Sequence, residues 1–245
     1  MVVYNQILKD WDELPDFMKV PEVRPYWEML YRRRGQLKFK RAFDVVVSTV
    51  MIIFLLIPML VISIAVELGS PGPVLYRQIR VTQYGRKFKI NKFRTMYDWT
   101  GHGKDGKKEG PSVTVANDRR ITKVGAVLRK YRLDEFPQIF NVLLGDMSFV
   151  GTRPEVPKYV EKYEDEWNAT LLLPAGITSE CSIRYKNENK LLDGVSGGGV
   201  DKVYMEQVLP EKMDINLKSV EQFGVFDELV TLFRTVAVVV GKEYQ

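Results

Sequence analysis

Apolar positions form one long unbroken run and several periodic stretches. From Val45 to Val66 no side chain carries a charge, and a helix of about 22 residues rises roughly 33 Å, enough to cross a hydrocarbon layer of about 30 Å. A simple span is the first reading of that length. Two features point instead to a helix that enters, bends and returns to the same face. Pro58 lies inside the run, where it removes a backbone donor. Both flanks are basic as well: Lys38, Lys40 and Arg41 precede the run, and Arg77, Arg80, Arg86, Lys87, Lys89, Lys92 and Arg94 follow it. The positive-inside rule then places both ends in the cytoplasm. Lys40, Arg41 and Pro58 are accordingly the expected membrane and headgroup residues.

Ahead of the run, Trp11, Leu14, Phe17 and Met18, then Tyr26, Trp27, Leu30 and Tyr31, recur at roughly helical spacing, each group bounded by a proline. With Arg32, Arg33 and Arg34 following, this prelude suits a helix at a lipid headgroup surface; a helix packed on the core fits equally well. Beyond the run, Leu75, Arg77, Ile79 and Val81 share one parity, and Phe88, Ile90 and Lys92 follow a turn at Tyr84-Gly85, which predicts a hairpin. Residues 98–118 are polar and read as a loop. Ile121, Val124, Val127, Leu128 and Tyr131 predict an amphipathic helix with Arg120, Lys123, Arg129, Lys130 and Arg132 as its basic complement. A second helix is expected from Asp134 to Gly145, and a third over Val156, Tyr159, Val160, Tyr163, Trp167 and Leu171. A strand after Pro174-Ala175-Gly176, a Gly197–Gly199 linker and a final helix through Phe226, Leu229, Val230, Phe233, Ala237 and Val240 complete the reading. The last helix suits either the domain or a membrane surface.

Composition narrows the function. A net charge of +5 suits an anionic partner. Nucleic acid would rest on that charge alone, since no recognition module is visible, and it is set aside. The single cysteine, Cys181, excludes an internal disulfide framework and suits a reducing compartment. The single histidine, His102, lies in the polar loop, so histidine-based catalysis and multi-histidine metal sites are excluded. The first forty residues, with Pro15, Pro21 and Pro25, are too polar for a signal peptide.

The chemistry centres on Leu133-Asp134-Glu135-Phe136-Pro137-Gln138. Asp134 fits a helix N-cap, an ordinary structural role. A carboxylate at such a terminus also stays ionised and can be nucleophilic, beside N–H groups that receive phosphate oxygens. Neighbouring residues on a helix diverge, so Asp134 and Glu135 suit two roles, one attacking and one holding a divalent cation. Hard oxygen donors of this kind suit Mg²⁺. Lys92, Arg94, Arg129, Arg132 and Arg153 are the candidate binders of a diphosphate, because phosphoryl transfer depends on positioning and charge stabilisation.

Taken in order, Lys40-Arg41-Ala42-Phe43-Asp44, Ser70-Pro71-Gly72-Pro73-Val74, Lys92 to Met96, Asp118-Arg119-Arg120-Ile121-Thr122, Leu133 to Gln138, Asn141 to Gly151 and Arg153-Pro154 resemble the bacterial sugar transferases, the monotopic phosphoglycosyl transferases. The resemblance runs from about Lys40 to the C-terminus. It departs where Ile57 precedes Pro58 in place of Ser, where Thr152 precedes Arg153-Pro154 in place of Pro, and from Ile177-Thr178-Ser179 onward.

The resemblance implies an α+β, mainly helical fold. Residues 1–37 would be a prelude, 38–68 a re-entrant membrane helix and 69–245 a membrane-associated catalytic domain with amphipathic interfacial helices and a small β-hairpin. It further implies a ping-pong reaction in which Asp134 attacks the sugar-bearing phosphate of a UDP-sugar, expels UMP and passes the phosphosugar to polyprenyl (undecaprenyl) phosphate. Mg²⁺ is tied to Glu135, with Asp134 beside it. The expected setting is the cytoplasmic face of the bacterial inner membrane, as the first membrane step of a polysaccharide or glycoprotein glycan pathway, and a homodimer is compatible with it.

Overall fold

The computed structural model describes residues 8–97, 118, 120–185 and 199–239. The loop expected over 98–118, apart from Asp118, lies outside them, as do His102, Gly197, Gly198 and Val240. In chain order the elements are α1 (Arg24–Arg32), α2 (Arg34–Gly69), β1 (Leu75–Val81), β2 (Lys87–Phe93), α3 (Lys123–Lys130), α4 (Gln138–Leu144), β3 (Met147–Val150), α5 (Pro157–Val160), β4 (Ala175–Thr178), α6 (Glu180–Arg184), α7 (Gly199–Val203), α8 (Leu209–Glu221) and α9 (Val225–Val239). Helix dominates, and the expected hairpin is present: β1 and β2 pair antiparallel from Leu75↔Phe93 to Val81↔Lys87. The strand expected after Pro174 is β4, and it pairs in parallel with β3, from Met147↔Ala175 to Val150↔Thr178.

The apolar run lies within α2, which passes through Pro58 without ending. Two stripes divide this helix. Asp44, Ser48, Met59 and Val66 are buried, with Ile52, Leu55 and Ile62 partly so, at the three- and four-residue spacing of one face. Val46, Val50, Ile53, Phe54, Ile57, Leu60, Val61, Ile64 and Leu68 form the opposite, exposed face. The inward stripe packs against Phe88, Ile139, Met147 and Phe149 toward its start and Phe93 and Leu128 toward its end. The helix therefore lies lengthwise on the globular body.

The basic residues expected at headgroups lock that arrangement instead. Lys40 is 5% exposed, and its Nζ donates at 2.7 Å to Val150 O and to both carboxylate oxygens of Glu228 on α9. Arg41 donates to Val142 O at 2.8 Å and Leu143 O at 2.9 Å. These carbonyls belong to the last turn of α4, where a helix leaves its acceptors without amide partners. Desolvated cations seek such acceptors, and here the body supplies them before any headgroup could.

The prelude resolves toward core packing. Met18, Val23 and Leu30 are fully buried and share one cluster with Leu37, Leu172, Leu209, Met213 and Leu217. No boundary at 37/38 separates it from the body, because its apolar side chains complete a core whose other half comes from the C-terminal third. The single helix expected over Val156–Leu171 is also revised. It is split into α5 and a 3₁₀ segment, Glu166–Leu172. Every residue from Trp167 to Gly176 is buried, which a helix with one apolar face cannot achieve.

Gly125 on α3 presses on the backbone: a Cβ there would lie 2.0 Å from Thr95 O. Gly125→Ala should therefore cost about 3 kcal/mol. Gly35→Ala, in α2 with nothing within 4 Å of the new methyl, should be neutral or stabilise by up to ~1 kcal/mol. Thermal midpoints of the purified variants in detergent check both.

Candidate active site

The acidic pair occupies a 3₁₀ turn, Leu133–Glu135, between α3 and α4. Asp134 was expected as the N-cap of a helix running to Gly145; α4 in fact begins at Gln138, with Pro137 in the cap position. The chain before Pro137 forms a tight turn, with Phe136 N donating to Leu133 O at 3.3 Å. The chain enters this turn through Arg132 in the left-handed region, φ 57°, a conformation uncommon for a non-glycine residue. Asp134 is 8% and Glu135 9% exposed.

Three elements deliver cations to one oxygen of Glu135. Lys92, from β2, lies 3.0 Å from Oε1; Arg153, from the segment after β3, lies 2.8 Å away; Arg132 stands at 3.9 Å. Burial alone would raise the Glu135 carboxyl, but the Arg153, Lys92 and Arg132 charges outweigh it and hold it well below the usual carboxylate range. Burial lowers the Lys92 ammonium, and Glu135 opposes that shift.

Asp134 is arranged differently. Among the described residues it has no hydrogen-bond or ion-pair partner, although Lys92, Arg129 and Arg132 act on it through their charge. Burial first, and the adjacent Glu135 second, raise its carboxyl above the ordinary value. Arg129 approaches from α3; its Nη1 lies 3.4 Å from Thr95 Oγ1. One carboxylate is thus clamped and its neighbour left available, with cations converging on both.

Arg94 is not part of this group. Its guanidinium donates to Pro71 O at 2.8 Å, Ser70 O at 2.5 Å and Val66 O at 3.3 Å, tying down the end of α2. β2 ends at Phe93, so the alternation that carries Lys92 to the site no longer governs Arg94, and nearby carbonyls capture it. Lys40, Arg41 and Pro58 also stand apart from the acidic pair. Within Asp118-Arg119-Arg120-Ile121-Thr122, Asp118 binds the Arg120 guanidinium, Thr122 caps α3 by accepting from Gly125 N at 2.8 Å, and Arg119 lies outside the described residues.

Several positioning residues escaped the linear reading. Asn141 receives Asn91 N at 3.0 Å and donates to Lys89 O at 2.9 Å, fastening α4 to β2. Gly151 and Gly176 approach so closely that a Cβ on Gly176 would lie 2.2 Å from Gly151 N, which sets the departure of the Thr152-Arg153 segment. Asn141 and Gly151 stand inside a family-like motif, but no spacing announces their partners.

For a divalent cation the protein offers the Asp134 carboxylate and the second oxygen of Glu135. No cluster of three or more Asp, Glu, His or Cys occurs among the described residues. This donor set fits Mg²⁺ only as a partial shell, of the kind completed by substrate phosphates and water.

The profile of the family described as "Bacterial sugar transferase" matches residues 35–242. A UDP-N-acetylgalactosamine-undecaprenyl-phosphate N-acetylgalactosaminephosphotransferase of Aeromonas hydrophila is 39% identical over 127 residues, 52% of this chain and 29% of that protein. A UDP-glucose:undecaprenyl-phosphate glucose-1-phosphate transferase of Escherichia coli (strain K12) is 32% identical over 203 residues, 80% of this chain and 39% of that protein. A protein of the same name from Caulobacter vibrioides is 32% identical over 202 residues, 80% of this chain and 68% of its own. The chain therefore spans well under half of the Aeromonas and E. coli relatives.

The depressed Glu135 carboxyl predicts a pH-dependent stability difference. Its contribution is fully present above the ordinary glutamate value of 4.5 and is lost as pH falls through the lower folded-state value. Glu135→Gln should cost about 2–3 kcal/mol at neutral pH by leaving buried cations unpaired. The gap between wild-type and variant thermal midpoints should close as the solution is acidified below that value.

Proposed function

The chain belongs to the bacterial sugar transferase family, and we propose that it moves a sugar 1-phosphate from a UDP-sugar to undecaprenyl phosphate in two displacements through Asp134. One observation carries this reading: a buried carboxylate without a bonding partner among the described residues, beside a second carboxylate clamped by Lys92 and Arg153. The names of the relatives, which pair undecaprenyl phosphate with UDP-linked sugars, support the choice of substrates.

In the first displacement an Asp134 oxygen bonds to the phosphorus that carries the sugar. The bond from that phosphorus to the bridging oxygen breaks, and UMP leaves with the electron pair. In the second, an oxygen of undecaprenyl phosphate attacks the same phosphorus, the aspartyl–phosphorus bond breaks, and the carboxylate is restored. Lys92, Arg129, Arg132 and Arg153 stabilise charge on the non-bridging oxygens, as preorganised cations do where charge develops. Glu135 keeps Lys92 and Arg153 in place. Asp134 and Glu135 would hold a magnesium ion, which when bound would supply further neutralisation of phosphate charge.

The setting follows from α2. Its outward stripe is apolar from Val46 to Leu68, while its inward stripe rests on the body. Such a helix places its outer face in lipid without carrying the body across, and we infer a seat in one leaflet at the cytoplasmic face of the inner membrane. The re-entrant course expected from the flanking charges becomes, in this reading, a continuous helix lying along the interface.

Incubation with a panel of UDP-sugars, magnesium and undecaprenyl phosphate should release UMP, and a donor labelled in the sugar should label the intact protein. Asp134→Asn should abolish the label and lower turnover by at least ~10³-fold; near-normal turnover would remove Asp134 as nucleophile. The raised Asp134 carboxyl sets an acid limb, because the ionised form attacks and is lost as pH falls through that value. Lys92→Met removes an opposing cation, so the acid limb of kcat/KM should move to higher pH.

A further inference from the structure

A second cluster of charges lies behind the site. Glu155 and Lys212 are 7% and 4% exposed. Glu155 Oε1 accepts from Tyr204 Oη at 2.6 Å and Lys212 Nζ at 3.3 Å, and Lys212 Nζ also donates to Tyr204 Oη at 2.7 Å. The other oxygen, Oε2, stands 4.0 Å from the Arg80 guanidinium. Tyr204 opens a π-helical turn, Tyr204–Val208, between α7 and α8; such turns are rare and concentrate where a side chain must be placed out of helical phase. Apolar side chains surround the cluster, and a buried ion cluster is commonly no more stabilising than apolar packing of the same volume. Stability alone does not account for it.

Its position does. Arg153, Pro154 and Glu155 are consecutive, and this stretch is gripped beyond Arg153 at three points. Arg80 donates to Pro154 O at 3.1 Å, Val81 N donates to Glu155 O at 3.0 Å, and the Glu155 carboxylate enters the Lys212–Tyr204 cluster. Arg80 pairs with Phe88, and Tyr76 with Lys92. Alternation along the strands therefore puts Arg80 and Lys92 on the same face of the hairpin.

We propose that Glu155, held by Tyr204 and Lys212 and braced by Arg80, is a positioning residue that sets the reach of Arg153 to Glu135. It touches no reacting atom and acts through Arg153 alone. The proposal rests on the transferase reading above.

A double-mutant cycle on kcat/KM for UMP release tests it, with thermal midpoints recorded for every variant. Arg153→Ala should lose about 100-fold and Glu155→Gln about 10-fold, and the double variant should match Arg153→Ala within about 3-fold, since a residue acting only through Arg153 has nothing left to position. A merely structural role gives losses that multiply, and that result overturns the proposal, as does a Glu155→Gln enzyme with wild-type turnover. If Glu155→Gln does not fold, the cycle is run with Tyr204→Phe, which deletes a single hydroxyl and is expected to show the same non-additivity. Wild-type protein that releases no UMP from any donor sinks the transferase reading and the positioning role together. Wild-type turnover with multiplying losses sinks the positioning role alone.

Discussion

A glutamate carboxylate withdrawn almost wholly from water is tolerable only if charge comes to meet it. At Glu135 that charge comes from a strand, from a left-handed junction and from the segment after β3, which otherwise share no local structure. Each has its own scaffold: Asn141 fastens β2 to α4, the tight turn before Pro137 presents the acidic pair, and the closely apposed Gly151 and Gly176 direct the chain toward Arg153. The burden on Glu135 is what leaves its neighbour available. Had the cations been shared equally, neither carboxylate would stand free.

The second organising contact is the grip on both ends of the apolar helix. Lys40 and Arg41 hold its beginning, and Arg94 holds its end through three carbonyls. Between them the inward stripe packs against the sheet and helices that carry Lys92 and Arg129. The exposed apolar face of α2 and the charges gathered around Glu135 are consequently joined through one packed body.

The gathering of charged residues was more legible in the sequence than the architecture around it. Asp134, Glu135, Lys92, Arg129, Arg132 and Arg153 were readable because acidic and basic residues near a turn have few other uses in such concentration, and the structure brings them together. Arg94 was not, because its fate depends on where β2 stops and on carbonyls 23–28 residues upstream. Lys40 and Arg41 looked like headgroup cations for the same reason: their acceptors lie 101–188 residues away. The parallel pairing of β3 with β4, the core role of the prelude and the Glu155 cluster are all long-range facts. Periodicity reports which face of an element is apolar and says nothing of what will cover it.

The span between Lys40 and Glu228, 188 residues, has a consequence for biosynthesis. At about 5–20 residues per second a ribosome takes roughly 10–40 s to cover that distance. Throughout this interval Lys40 has been translated and its counter-ion has not. The contact that locks the start of α2 to α9 can therefore close only after the last helix has been made, so the long helix must wait unpaired at Lys40 for most of translation.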